Sequence, residues 1–188
     1  MDNIYSKREN NMKGIILLAN HFEDVEAICT IDMLRRAKIE IDLVSITGQK
    51  ELITQSGIGL NAEKLINEVD LNEYCFVILP GGKAIFETHR DSNITKSVIK
   101  HFYDRKLLIS AICAAPIVIK DYLKNQEFTC FPSCEDEIEG IYKKSKVEVH
   151  DNIITSKAAG TTFEFAYEII KYLKGEEIAQ KTLDSVYY

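Results

Sequence analysis

Short apolar runs recur along the chain, and most are followed by a polar or glycine-bearing turn and then an amphipathic stretch. GIILLA, residues 14–19, is apolar throughout, as in a strand buried on both faces. EDVEAICTIDMLRRAK places Val25, Ile28, Cys29, Ile31, Asp32 and Leu34 at an imperfect helical spacing. Its acids crowd the first turn and Arg35, Arg36 and Lys38 close the last, which suits the helix dipole. IEIDLVSIT alternates and is rich in β-branched residues, so it reads as a second strand. Residues 48–62 read as a hairpin broken by Gly48, Gly57 and Gly59.

YCFVILPGG is a further buried strand ending in a turn, and SNITKSVIKHFYDRK an amphipathic helix capped by Ser92 or Asp91. LLISAI reads as a strand and AAPIVIKDYL as a helix. VEVHDNIITS holds two short strands turning at Asp151–Asn152, and TTFEFAYEIIKYLKG is a long helix stopped at Gly175. Strands alternating with helices predict an α/β three-layer sandwich with a mostly parallel central sheet and right-handed crossovers. Ligands of such sheets sit beyond the carboxyl ends of the strands. ANHFEDVE, PGGKAIFE, CAAP and KAAGTTFE all leave strands in that direction, so they should meet on one rim.

The bulk numbers narrow the function. The 188 residues suit one domain, and 46% hydrophobic with 28% charged residues suits a globular core. A formal net charge of −6 disfavours nucleic acid, and no nucleic-acid-binding motif is present. No apolar run reaches membrane-spanning length. The start, MDNIYSKRENNM, lacks the apolar core of a secretory leader and reads as a disordered extension over residues 1–12. A cytoplasmic, reducing setting is therefore expected, with the five cysteines as thiols.

Cys113 stands where the LLISAI strand passes into the following helix. Unpaired N–H groups at a helix start favour a thiolate, so its pKa is expected below the ordinary thiol value. The same groups can hold an oxyanion. Read alone, Cys113 is equally well a small buried hydrophobe. Glu26 shifts that balance: a carboxyl held beside a thiolate stays protonated and donates to sulfur. Glu23 and Asp24 read as first-turn acids, with Glu23 a possible accessory. Gly81 and Gly82 allow close backbone approach. His21 directly follows the first strand and is the histidine able to act as a substitute base, while His89, His101 and His150 read as surface residues. Cys130 and Cys134 lack the paired spacing of a metal site, and no metal or cofactor is expected.

FEDVEA, DMLRRA, VILPGG, AICAAP and AAGTTFEFA occur in an order and spacing that resemble the ThiJ/PfpI superfamily, in particular its parkinsonism-associated, deglycase-like branch. The resemblance covers nearly all of residues 13–175 and implies a flavodoxin-like domain over residues 13–188 that pairs as a homodimer. It assigns Cys113 as the nucleophile, Glu26 as its acid partner, and Gly82 and Ala114 as backbone donors of an oxyanion site. It implies a cofactor-independent glyoxalase or deglycase, converting methylglyoxal or its protein adducts to lactate. The alternative is a redox sensor or chaperone-like stress protein working through oxidation of Cys113.

The chain departs from the family pattern in three places that matter, one of them Gly57, which stands where some members offer an arginine across the dimer. Ala114 follows the cysteine where some branches carry histidine, which argues against peptidase chemistry. Phe131 replaces the histidine that precedes a proline in the parkinsonism-associated protein. No GxxxxGK phosphate loop supports a thiazole-monophosphate activity.

Overall fold

The computed structural model describes residues 12–188, so the extension expected over residues 1–12 lies, apart from Met12, outside the described residues. Among the described residues there are eleven strands: β1 (Lys13–Leu18), β2 (Glu40–Ser45), β3 (Glu51–Ile53), β4 (Gly59–Asn61), β5 (Lys64–Leu65), β6 (Phe76–Leu79), β7 (Leu108–Ile112), β8 (Glu127–Phe128), β9 (Ile141–Tyr142), β10 (Val147–His150) and β11 (Ile153–Ser156). Four α-helices join them: α1 (Asp24–Arg36), α2 (Asn93–Asp104), α3 (Thr162–Lys174) and α4 (Glu176–Asp184). A seven-stranded sheet runs β10-β11-β7-β6-β1-β2-β5. All its pairings are parallel except β10 with β11.

The apolar runs explain the centre of this sheet. Ile15 to Leu18 of β1 and Phe76 to Leu79 of β6 are fully enclosed, as parallel strands covered on both faces require. Gly14 makes room for its neighbour, since a Cβ there would lie 2.1 Å from the Phe76 ring. The hairpin expected over residues 48–62 is β3–β4. Ser92 caps α2 by accepting the Thr95 N–H at 3.2 Å. Gly175 ends α3 with φ of 86°.

Three expectations are corrected. The buried face of α1 carries Glu26, Ala27, Thr30, Ile31, Met33 and Leu34, while Val25 and Ile28 are exposed. The helix is thus turned so that a carboxyl, not the expected aliphatic stripe, faces inward. Residues Ala115–Tyr122 form a 3₁₀-helix, not an α-helix. The β-branched Ile117, Val118 and Ile119 are stiff at χ1, which disfavours the α-helix. His89 is buried, not on the surface; its Nδ1 lies 3.1 Å from Thr95 Oγ1. It closes a π-helical turn, Ile85–His89, and burial without a charged partner lowers its pKa to about 4.

Candidate active site

The four strand-end segments do converge. β7 ends at Ile112, and Cys113 follows with φ of 66°, a left-handed conformation that costs a residue with a side chain roughly 1–3 kcal/mol. Its neighbours impose it. The Cys113 N–H donates to the Ser156 carbonyl at 3.0 Å, and the Phe131 N–H donates to the Cys113 carbonyl at 2.8 Å. Strand order sets the first bond, because β11 is parallel to β7 and its last residue, Ser156, lies level with Ile112.

Glu26 arrives from the first turn of α1. Glu23 caps that helix, its Oε2 accepting the Glu26 N–H at 2.7 Å. This fixes the turn and aims the Glu26 side chain at the end of β6, where the Gly81 N–H donates to its Oε2 at 2.7 Å. The carboxyl is almost completely buried, and its other oxygen, Oε1, meets no donor at full hydrogen-bond geometry among the described residues. The Cys113 thiol and the Ala159 N–H lie close enough to act on the carboxyl more weakly. Burial dominates: it raises the Glu26 pKa to about 7, with the Gly81 bond opposing and the Glu23 charge adding to the rise. A neutral carboxylic acid is therefore a populated form near neutral pH.

Gly81 and Gly82 are required by space. A Cβ on Gly81 would stand 2.6 Å from Cys113 Cβ and 2.7 Å from Glu26 Oε2. A Cβ on Gly82, whose φ is 91°, would stand 2.5 Å from the Glu23 nitrogen. With no side chain there, the Gly82 and Ala114 N–H groups reach the Cys113 sulfur and favour its ionised form. They do not win. Burial and the ionised Glu26 beside it push the Cys113 thiol well above the ordinary range, contrary to the lowered value expected from a helix start. The reason is enclosure first, then the like charge of Glu26 and the hydrogen bond between the two side chains. Sulfur and carboxyl therefore titrate as one coupled unit.

His21 also lies on the rim, with φ of 67°, but its Nδ1 is 2.6 Å from Glu87 Oε2 and both side chains are about half exposed. Its imidazole is engaged there. Phe131 is exposed beside the elbow, so the residue bonded to the Cys113 carbonyl brings an aromatic ring. Ala159 was missed in the sequence, although KAAGTTFE was placed on the rim. Its N–H acts on Glu26 from the short turn Ala159–Thr161 that precedes α3. Among the described residues, no group of three or more His, Cys, Asp or Glu side chains is placed to hold a metal ion.

A strained cysteine on a strand-to-helix corner, with a protonatable glutamate and backbone donors, sits on a flavodoxin-like sheet. The chain belongs to the DJ-1/PfpI family, which it matches over residues 12–172. It is 28% identical over 174 residues to the zebrafish (Danio rerio) Parkinson disease protein 7 homolog, covering 89% of this chain and 92% of that one. It is 29% identical over 173 residues to protein DJ-1 homolog B of Arabidopsis thaliana; the match takes in 90% of this chain but 40% of that longer relative. Among solved structures, oxidised Toxoplasma gondii DJ-1 superposes with a TM-score of 0.87 at 30% identity, covering 94% of this chain and 98% of that one. A cysteine-to-alanine mutant of a Salmonella typhimurium DJ-1 superfamily protein gives 0.89 at 25% identity, covering 94% and 98%. No helix among the described residues is long and apolar enough to cross a membrane.

Proposed function

We propose that this protein is a cysteine-dependent enzyme acting on small reactive carbonyls of the methylglyoxal type or their early adducts. The observation that carries the reading is the cluster of Glu26, Gly81 and Cys113, with the cysteine at φ of 66°. The sulfur adds to the aldehyde carbon, and the carbonyl oxygen becomes the hemithioacetal oxygen. The Gly82 and Ala114 N–H groups, which already face the sulfur, support the negative charge that develops there. Glu26, with its pKa near 7, takes the proton from the former aldehyde carbon and returns it to the adjacent carbonyl carbon. The product is a thioester, which water hydrolyses to lactate and the regenerated thiol. Each turnover consumes one dicarbonyl and one water. The test is lactate production from methylglyoxal by purified protein: turnover that disappears in Cys113→Ala supports the reading, and turnover that survives it removes the nucleophile.

A second reading has its own support. The Gly82 and Ala114 N–H groups face the sulfur, and the protonated form of Glu26 can donate to an oxygen carried on it, features that suit an oxidised sulfur held in place. Cys113 would then serve as a redox sensor, oxidised by peroxide to a sulfinate that Glu26 and the same backbone donors hold. A stable mass gain confined to Cys113, without turnover, is its signature. For either reading, we propose a homodimer in which a second copy covers the exposed Val25 and Ile28 of α1 and Ile53 and Ile58 of the hairpin. That hairpin is tied to α1 by the Ser56 hydroxyl, which donates to Asp24 Oδ1 at 2.5 Å.

A further inference from the structure

Cys130 and Cys134 lie at the two ends of one tight turn, and both are buried. The Cys134 N–H donates to the Phe131 carbonyl at 3.0 Å, and Ser133 takes φ of 78° to close the turn. The Phe131 N–H is the group that holds the Cys113 carbonyl. One residue, Phe131, therefore ties this turn to the elbow through both of its peptide groups. The two sulfurs share one environment: burial, then the charge of Cys134 and that of Glu135, raise the Cys130 thiol to about 12. Neither cysteine has a place in the chemistry assigned to Cys113.

We propose that Cys130 and Cys134 form a reversible disulfide that closes this turn and weakens Cys113 as a nucleophile. The oxidant is a low-molecular-weight disulfide of the glutathione class. Cys134 is 6% exposed against 0% for Cys130, so it is the entry point. Its thiolate attacks the small disulfide, forming a mixed disulfide and expelling one small thiolate. Cys130 then gives up its proton and displaces the second. Two protein thiols lose one electron each, the small disulfide gains both, and the two protons end on the departing thiols.

The effect on the elbow follows from geometry. Bonded sulfurs stand about 2.05 Å apart with a fixed dihedral preference, and the inference is that the five residues from Cys130 to Cys134 adjust to meet it. Phe131 moves with them and its N–H is drawn from the Cys113 carbonyl. A strained φ persists only while its surroundings hold it. With one anchor loosened, Cys113 relaxes and its sulfur withdraws from the Gly82 and Ala114 donors.

The experiment treats the full chain and Cys134→Ser with excess glutathione disulfide. Unreduced peptides are mapped by mass spectrometry, and iodoacetamide modification of Cys113 is timed in the same samples, with glutathione-bearing Cys113 scored apart. The expected result is a Cys130–Cys134 link that dithiothreitol reverses, with Cys113 modified roughly tenfold more slowly while it persists. Cys134→Ser should show neither change, and Cys130→Ala serves if that variant does not fold. Thiols that stay reduced, a link from either cysteine to Cys113 instead, or a link that leaves Cys113 modification unchanged overturns the inference. Alkylation, not turnover, is the readout, so the result stands apart from the carbonyl chemistry.

Discussion

The Gly81 N–H donates to Glu26 Oε2 at 2.7 Å, and the space where a side chain would project from Gly81 is already filled by Cys113. One glycine thus positions the acid and admits the nucleophile. The separation of sulfur and carboxyl is set by backbone, with little freedom for either side chain to drift.

Gly81→Ala should therefore damage the site more than the fold. The added methyl must displace Cys113 or Glu26, a strain of about 1–3 kcal/mol by the usual cost of overpacking. Thermal melting should fall modestly, while Cys113 alkylation and any dicarbonyl turnover drop by more than about tenfold. Wild-type reactivity in Gly81→Ala would show that the glycine is not needed at this distance.

Glu26→Gln should shift sulfur reactivity toward lower pH. The carboxylate is a leading cause, after burial, of the raised thiol pKa, and the amide keeps the Gly81 bond without the charge. Above the Glu26 pKa of about 7, alkylation of the variant should exceed that of wild type. The gain is about tenfold for each unit by which the thiol pKa falls. Superimposable pH profiles would refute the coupling.

The same substitution should stabilise the protein in alkaline solution. The Glu26 pKa rises from 4.5 to about 7 on folding, so the folded state holds its proton more tightly. The stability this gives is full below pH 4.5 and lost as pH rises through 7. At pH 8, ionising the buried acid costs up to about 3 kcal/mol. Glu26→Gln should melt several degrees higher than wild type at pH 8 and close to it at pH 4.5. An equal gain at both pH values points to packing, not to charge.

His89 acts in the opposite direction. Its pKa falls from 6.5 to about 4, so the unfolded chain takes up the proton first. Stability is intact above pH 6.5 and declines as pH drops toward 4, by up to about 3 kcal/mol. His89→Gln, with an amide still able to meet Thr95, should flatten that acid limb in denaturant titrations. An unchanged limb would assign acid sensitivity elsewhere.

Much of this architecture was legible in the sequence because enclosed parallel strands leave unbroken apolar runs. β1, β6 and β7 appear in the text of the chain, as does the glycine that stops α3. The convergence of Glu26, Gly81, Gly82, Ala114 and Cys113 was legible through the strand-end rule and the family words. What was lost has physical reasons. The aliphatic residues of α1 suggested one buried face, but Val25 and Ile28 stay outside because Glu26 must point inward. His89 looks like a surface residue until the π-helical turn folds it beneath Thr95. The sign of the Cys113 shift depended on enclosure and on a neighbouring charge, neither of which spacing reveals. Ala159 contributes only a backbone N–H, to which its residue type is no guide.

The two backbone hydrogen bonds that hold Cys113 in its twist have partners from chain made later: the Phe131 N–H and the Ser156 carbonyl. On a growing chain, Cys113 is made before either partner and lacks the two bonds that hold its twist until both have been added. The left-handed twist of Cys113 is therefore complete only once β11 has joined β7, so the corner of the site is among the last parts of the sheet to be set.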